Sequence, residues 1–295
     1  MASVSGVARK TALITGASSG IGYEFAKLFA RDHFDLVLVA RDASRLGRVA
    51  DELRRTFGIT ATVKATDLSR PAAATGIYRE LQDEGIEIDV LVNNAGFNVY
   101  GPFCETNAQR ELEMIQTNII ALTQLTKELL PGMIERRSGK ILNLGSTGSF
   151  APGPLNAVYC ASKAYVLSFS EALAEELKGT GVTVTTLCPG PTKTEFAERA
   201  QMTDTNIFQG RLQSAAEVAE AGYRALTRGE TSIVVGLANK LQVFSLRFLP
   251  RDAVARVSKR IMSRSESAPG AGAGVIELSP TPRSEILCRR DPAAW

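Results

Sequence analysis

The sequence predicts an α/β fold: one domain on a doubly wound parallel sheet of about seven strands, followed by a C-terminal extension. Three observations carry this. Short apolar, β-branched runs alternate with longer helical patterns from Thr11 to Val235, as βαβ units do. Glycine, asparagine or proline stands directly after several of those runs, where the strands of a parallel sheet end and ligand-binding loops begin. The first run, Thr11-Ala12-Leu13-Ile14-Thr15, passes through a glycine-rich turn straight into a helical pattern from Ile21 to Arg31.

Composition narrows the classes. The chain has 295 residues and a net charge of +3, too small to argue for nucleic acid as a partner. That sum hides a local excess, because Lys240 to Arg264 alone carries +6. Cys104, Cys160, Cys188 and Cys288 form no CxxC, and His33 is the only histidine. A zinc site, a disulfide scaffold and a histidine-based triad are therefore not expected, nor is any other metal site. The cysteine usage fits a reducing compartment. Met1 to Lys10 lacks the apolar core of a secretory signal, and no apolar run reaches membrane-spanning length. The expectation is a cytoplasmic protein.

Gly16-Ala17-Ser18-Ser19-Gly20-Ile21-Gly22 is the glycine-rich turn, spaced G-x-x-x-G-x-G. Between a strand and a helix it reads as a phosphate-binding element, since the helix start offers free N–H groups and a positive dipole end. Asp35 to Ala40 is the second strand and ends at Arg41-Asp42, where a dinucleotide fold meets the adenosine ribose. Arginine there suits the 2′-phosphate of NADP, so NADP is preferred and NAD is the alternative through Asp42. Otherwise Arg41 is a solvated strand-end charge and Asp42 caps a helix from Ala43 to Phe57.

Ala61 to Ala65 is the third strand, leading to Asp67-Leu68, and Pro71 is read as opening the next helix. Val90 to Val92 leads into Asn93-Asn94-Ala95-Gly96, a ligand-facing edge or a plain turn. Asn107 to Arg137 reads as one long helix, broken near Pro131-Gly132, with Asn118 inside it either solvated or closing a hydrogen-bond chain. Lys140 to Leu144 ends at Gly145-Ser146, and Val182 to Leu187 ends at Cys188-Pro189-Gly190. The polar stretch from Thr194 to Gln213 reads as a lid or a surface excursion. A helix from Ala215 to Arg228 and a strand from Thr231 to Val235 complete the sheet.

Tyr159 and Lys163 are four apart in a helical stretch, so they share one face. Tyrosine titrates near pH 10, and a cation at roughly 4 Å in a dielectric of about 20 favours the phenolate by about 4 kcal/mol, roughly three pKa units. The pair reads as an acid–base group or as a surface pair.

Thr15 to Gly22, Asp67-Leu68, Asn93 to Gly96, Asn118, Ser146, Tyr159-x-x-x-Lys163 and Pro189-Gly190 together resemble the short-chain dehydrogenase/reductase family, in its order and spacing. The resemblance covers roughly Arg9 to Gly236. It implies a single Rossmann-type domain, a nicotinamide cofactor and a homodimer or homotetramer. It further implies an NADP(H)-dependent oxidoreductase that interconverts a small-molecule carbonyl and alcohol. Tyr159 would be the acid–base, Lys163 would lower its pKa and hold ribose hydroxyls, Ser146 would bond the substrate oxygen, and Asn118 would hold a relay water. Gly16, Ser18, Ser19, Gly20, Ile21 and Gly22 would line the pyrophosphate side. Arg41, Asp67 and Leu68 would meet the adenosine, and Asn93, Ala95 and Gly96 the ribose. Pro189, Gly190, Thr192 and Thr194 would meet the carboxamide and phosphates. The alternative is a non-catalytic NADP-binding sensor or scaffold.

The pocket wall expected from Phe97, Tyr100, Phe150, Pro152, Leu155 and Phe196 to Phe208 is apolar and suits a hydrophobic substrate. Residues 1–239 form the catalytic domain in this reading, 240–264 a basic amphipathic helical segment and 265–295 a disordered tail. The segment from Leu241 to Met262 is expected to pack on its own protein or a partner subunit, with peripheral membrane contact the less favoured alternative.

Overall fold

The computed structural model describes residues 9–265. The tail assigned to 265–295 lies, beyond its first residue, outside the described residues. Seven parallel strands form the central sheet: β1 (Thr11–Thr15), β2 (Asp35–Ala40), β3 (Ala61–Ala65), β4 (Val90–Asn93), β5 (Gly139–Leu144), β6 (Val182–Cys188) and, last in the chain, β9 (Ser232–Val234). Their order is β3-β2-β1-β4-β5-β6-β9. The direction of winding reverses between β1 and β4, which opens a crevice at the carboxyl ends of those two strands. This is the doubly wound Rossmann-type sheet that the sequence predicts.

The inner strands β1, β2 and β4 are largely apolar because both faces are covered. On β2, Leu36 and Leu38 point into one core and Val37 and Val39 into the other. The first core is closed by α1 (Gly20–Arg31), α2 (Ala43–Phe57) and α8 (Ala215–Arg228), with Phe25 and Phe29 fully enclosed. The second is closed by α3 (Ala73–Asp83), α5 (Leu122–Glu135) and α6 (Ala157–Glu176).

Three local expectations change. Pro71 does not open α3, because Ala72 adopts a left-handed φ of 63° and the helix begins at Ala73. Pro131 does not break its helix. It lies exposed inside α5, while Leu125, Leu129 and Met133 hold the opposite face in the core. The interruption comes earlier, as a π-helical turn (Gln116–Ala121) between α4 (Ala108–Ile115) and α5. Such turns insert an extra residue and re-aim a side chain, here Asn118.

The stretch from Thr194 to Gln213 is partly ordered as α7 (Phe196–Arg199), preceded by β7 (Thr192–Lys193) and followed by β8 (Gln213–Ser214), with which β7 pairs. The basic segment is two helices, α9 (Leu237–Ser245) and α10 (Arg251–Met262), with a tight turn at Leu246–Phe248 and Pro250 at the start of α10. The Tyr100 hydroxyl donates to the Met262 carbonyl at 2.7 Å, and Thr205 bridges to Arg264. Among the described residues no helix is long and apolar enough to cross a membrane.

Candidate active site

The crevice at the β1/β4 switch point is a cleft of about 880 Å³. Two loops form its floor, and Thr15 clips them together. The Thr15 hydroxyl accepts from the backbone N–H groups of Asn94 and Ala95, both at 3.0 Å, and the Asn94 side-chain amide donates to the Thr15 carbonyl at 2.9 Å. Gly16 has a φ of 66°, and a Cβ there would lie 2.8 Å from the Asn94 amide and 3.0 Å from Ala95 Cα. Glycine is thus required both by backbone conformation and by close approach. Of the expected cofactor residues, Gly16 to Ile21 (Ala17 aside), Arg41, Asp67, Leu68, Ala95, Gly96, Pro189, Gly190, Thr192 and Thr194 line the cleft.

Two do not. Gly22 is buried against the turn, where a Cβ would sit 2.3 Å from the Gly16 carbonyl oxygen, so it permits packing of helix on loop. Asn93 is buried with its amide donating to Asn143 at 2.9 Å and Thr126 at 3.1 Å. Its side chain ties β4 to β5 and α5 instead of facing the cleft, while its neighbour Asn94 lines it. Asn93 follows Leu91 by two, and both point to the α5/α6 side.

At the β2 end of the cleft, Asp42 is the N-cap of α2 and accepts from the Arg45 N–H at 2.8 Å. Arg41 is left as the strand-end cation. Although burial works against it, hydrogen bonds from Ser69 and the charges of Arg41 and Arg70 hold the Asp67 carboxyl below the usual carboxylate range. Arg45 pairs with Glu195 through two contacts, 2.5 and 3.0 Å, which join α2 to the loop after β7 across the cleft. No local pattern could have paired residues 150 positions apart.

At the other end stand Ser146, Tyr159 and Lys163. A capped tight turn at Thr147–Phe150 fixes Ser146, whose hydroxyl accepts from the Gly148 N–H at 3.0 Å. Tyr159 and Lys163 lie one turn apart on α6. The Lys163 ammonium is 5.8 Å from the Tyr159 ring centre and donates to the Leu144 carbonyl at 2.7 Å. Asn118 does not line the cleft. It lies just beneath it, donating to the Phe97 carbonyl and the Ser162 hydroxyl, both at 3.1 Å, and accepting from the Phe97 N–H at 3.2 Å. A Cβ on Gly96 would lie 3.0 Å from Asn118 Oδ1 and 3.5 Å from Lys163 Nζ, so these three converge on one spot. Asn118→Ala would leave the Phe97 peptide groups and Ser162 short of partners. A loss of about 1–3 kcal/mol in a denaturation titration is expected.

The electrostatics bear on the Tyr–Lys pair. Burial raises the Tyr159 phenol well above its ordinary value, neighbouring Cys160 adds to this, and a hydrogen bond with Ser146 opposes it. The Lys163 ammonium gives its hydrogen bond to Leu144, and burial lowers its own pKa to about 8. At neutral pH the pair is a protonated phenol beside an ammonium. Burial also pushes the Cys160 and Cys188 thiols up to about 11 and about 12, so neither is a thiolate at neutral pH.

Phe97, Phe196, Met202, Phe208 and Met262 line the mouth beside Tyr159, and the Phe196 ring stands 5.5 Å from the Tyr159 ring. Tyr100, Phe150, Pro152 and Leu155, expected in this wall, are not part of it. Tyr100 is committed to Met262 through its hydroxyl. Two buried amides, Asn98 and Asn156, join at 2.5 Å within the apolar wall and had no sequence signal. Among the described residues no group of three or more His, Cys, Asp or Glu side chains is placed to hold a metal ion.

The cleft thus joins a glycine-rich crevice at the β1/β4 switch point to a Ser–Tyr–Lys set at its other end. The family model for short chain dehydrogenase matches residues 10–205, and the chain belongs to that family. It is an oxidoreductase of the carbonyl/alcohol class. It is 32% identical over 230 residues to a ketoacyl reductase, HetN, of a Nostoc species, covering 77% of this chain and 78% of that one. A very-long-chain 3-oxoacyl-CoA reductase of Phaeosphaeria nodorum is 38% identical over 59% of this chain, which spans only 52% of that protein. Among solved structures, a short-chain dehydrogenase from Sphingobium yanoikuyae in complex with NADPH superposes with a TM-score of 0.73 at 34% identity, covering 80% of this chain and 92% of that one.

Proposed function

We propose that the chain is an NADPH-dependent reductase of hydrophobic ketones or aldehydes, with Tyr159 as proton donor. The observation that carries this is the division of the cleft: Arg41 stands at the ribose end with Asp42 engaged as a cap, and a protonated Tyr159 stands beside Ser146 at the other. The residues fit a nicotinamide dinucleotide, because Gly16, Gly20 and Gly96 each leave space that a Cβ would fill, against Asn94, Thr194 and Asn118 respectively. When bound, that cofactor supplies the hydride.

In this reading each cleft residue has a role toward the cofactor. The N–H groups at the start of α1 would receive the pyrophosphate, with Gly16 to Ile21 around them. Arg41 would pair with the 2′-phosphate, Asp67 and Leu68 would hold the adenine, and Ala95 and Gly96 the ribose. Lys163 would hold ribose hydroxyls, and Pro189, Gly190, Thr192 and Thr194 the carboxamide and phosphates. Ser146 and Tyr159 donate to the carbonyl oxygen as negative charge develops on it, and Tyr159 then gives up its proton. Asn118, bonded through Ser162 to the α6 turn that carries Tyr159, sits where a relay water can be held. The ketoacyl reductases among the relatives and the apolar mouth both support a hydrophobic substrate. A homodimer or homotetramer is the assembly proposed from the family resemblance, and a cytoplasmic location is proposed from the cysteine usage.

Turnover of NADPH with a panel of acyl, alicyclic and aromatic ketones tests the reading. Consumption with none of them, by protein shown to bind NADPH, would leave the sensor alternative standing. NADPH binding should also weaken as pH rises through about 8, where Lys163, the group assigned to the ribose hydroxyls in this reading, loses its proton. A flat binding profile across that range would remove the Lys163 charge from cofactor binding. The same group has a sign for stability. Its folded value lies below that of a free lysine, so the unfolded chain binds more protons between about 8 and the ordinary lysine range. Its contribution to stability therefore rises with pH in that window.

A further inference from the structure

We propose that the outer face of the C-terminal helix pair docks on an anionic lipid bilayer. The inference goes beyond the catalytic reading and rests on packing and charge alone. Leu237, Leu241, Phe244 and Phe248 recur at helical spacing along α9 and the turn after it, and are 73%, 61%, 55% and 72% exposed. The Phe244 and Phe248 rings meet edge to face at 5.3 Å, and the Arg247 guanidinium stands 6.0 Å from the Phe244 ring centre. The opposite face turns inward: Val254 is buried, and half-buried Val243, Leu246 and Ile261 join it around a cavity of about 370 Å³. The pair thus turns one apolar face toward its own protein and leaves a second, aromatic one in solvent.

Charge decides the occupant. Among the described residues Lys240, Arg247, Arg251, Lys259 and Arg260 make no ion pair, and Asp252, the only acid of the segment, is 3.9 Å from Arg256. A second copy placed face to face would set +6 against +6. An anionic surface reverses that sign. The apolar stripe is a projecting ridge of leucine and phenylalanine, which can enter the headgroup boundary without a shaped partner groove, while the cations stay at the lipid phosphates. The cavity beneath shares Thr147, Pro191 and Ile207 with the catalytic cleft, so a docked molecule would hold its active site close to the bilayer.

The test is flotation of the full chain with phosphatidylcholine vesicles, pure or mixed about three parts to one with phosphatidylserine. The parent protein should float with the mixed vesicles, not with the neutral ones, and added salt should release it. The double substitution Phe244→Ser and Phe248→Ser should lower the bound fraction about tenfold or more. NADPH binding and the far-ultraviolet spectrum should be unchanged, because both side chains are solvent-exposed. Equal flotation of parent and variant overturns the proposal by moving the contact elsewhere in the chain. Absence of flotation also overturns it. If the parent is then a dimer that the double variant dissociates, the ridge is a subunit interface; if it is a monomer, the ridge is left to a protein partner.

Discussion

Tyr159→Phe should lower turnover by about 10³-fold while leaving NADPH bound as in the parent. The substitution removes one hydroxyl and keeps the ring, so the contact with Phe196 survives and the fold should not move. The phenol is the one cleft group held protonated at neutral pH next to a second hydroxyl donor, Ser146. Ser146→Ala should cost less, about 10²-fold, because it removes one of two donors to the developing charge and leaves the proton source. Retained turnover in Tyr159→Phe would refute the mechanism outright. An equal loss in both variants, with binding intact, would indicate that Ser146 positions Tyr159 as well as the substrate, as their mutual hydrogen bond suggests.

Arg41→Ala should weaken NADPH binding roughly 10- to 100-fold and leave NADH binding unchanged. That is the scale of about 1.5–3 kcal/mol for hydrogen bonds to a charged group. The asymmetry matters more than the magnitude. Asp42, the competing ribose partner, is engaged with the Arg45 N–H, so Asp42→Ala should cost about 1 kcal/mol of stability without a gain or loss in NADH affinity. A titration in which NADH binding collapses in Asp42→Ala would assign the ribose to that carboxylate and reverse the cofactor preference.

The contrast between these residues shows what a sequence holds. Arg41 and Asp42 are adjacent, and their positions at a strand end and a helix cap follow from local pattern. The strand bounds of β1, β2 and β3 and the span of α2 were readable for the same reason, since an apolar run covered on both faces has a length and an end set by its own residues. The glycine turn, the capping aspartate and the Tyr–Lys spacing on α6 are likewise local.

Residues whose partners lie far along the chain were not readable in this way. Asn93 looked like an edge residue, and only the position of β5 and α5 shows its amide buried against Asn143 and Thr126. Asn118 could be found by its place in a motif, but the π-helical turn that carries it, and its contacts with Phe97 and Ser162, appear only once α6 packs against that turn. Pro131 looked like a break, and the core behind Leu125, Leu129 and Met133 carried the helix through it.

The sequence by itself determined the order of strands and helices, the placing of glycines at the nucleotide turn and the chemistry available on α6. Each of these depends on neighbours a few residues away and on periodicities fixed by backbone geometry. The tertiary structure alone decided which asparagine faces the cleft, that Arg45 reaches Glu195, that one face of the C-terminal helices stays uncovered, and how Tyr159 and Lys163 titrate. Those depend on desolvation and on contacts between distant segments. A lysine four residues from a tyrosine favours the phenolate in water-like surroundings, but here the ammonium is turned to the Leu144 carbonyl and desolvation pushes the phenol up and the ammonium down.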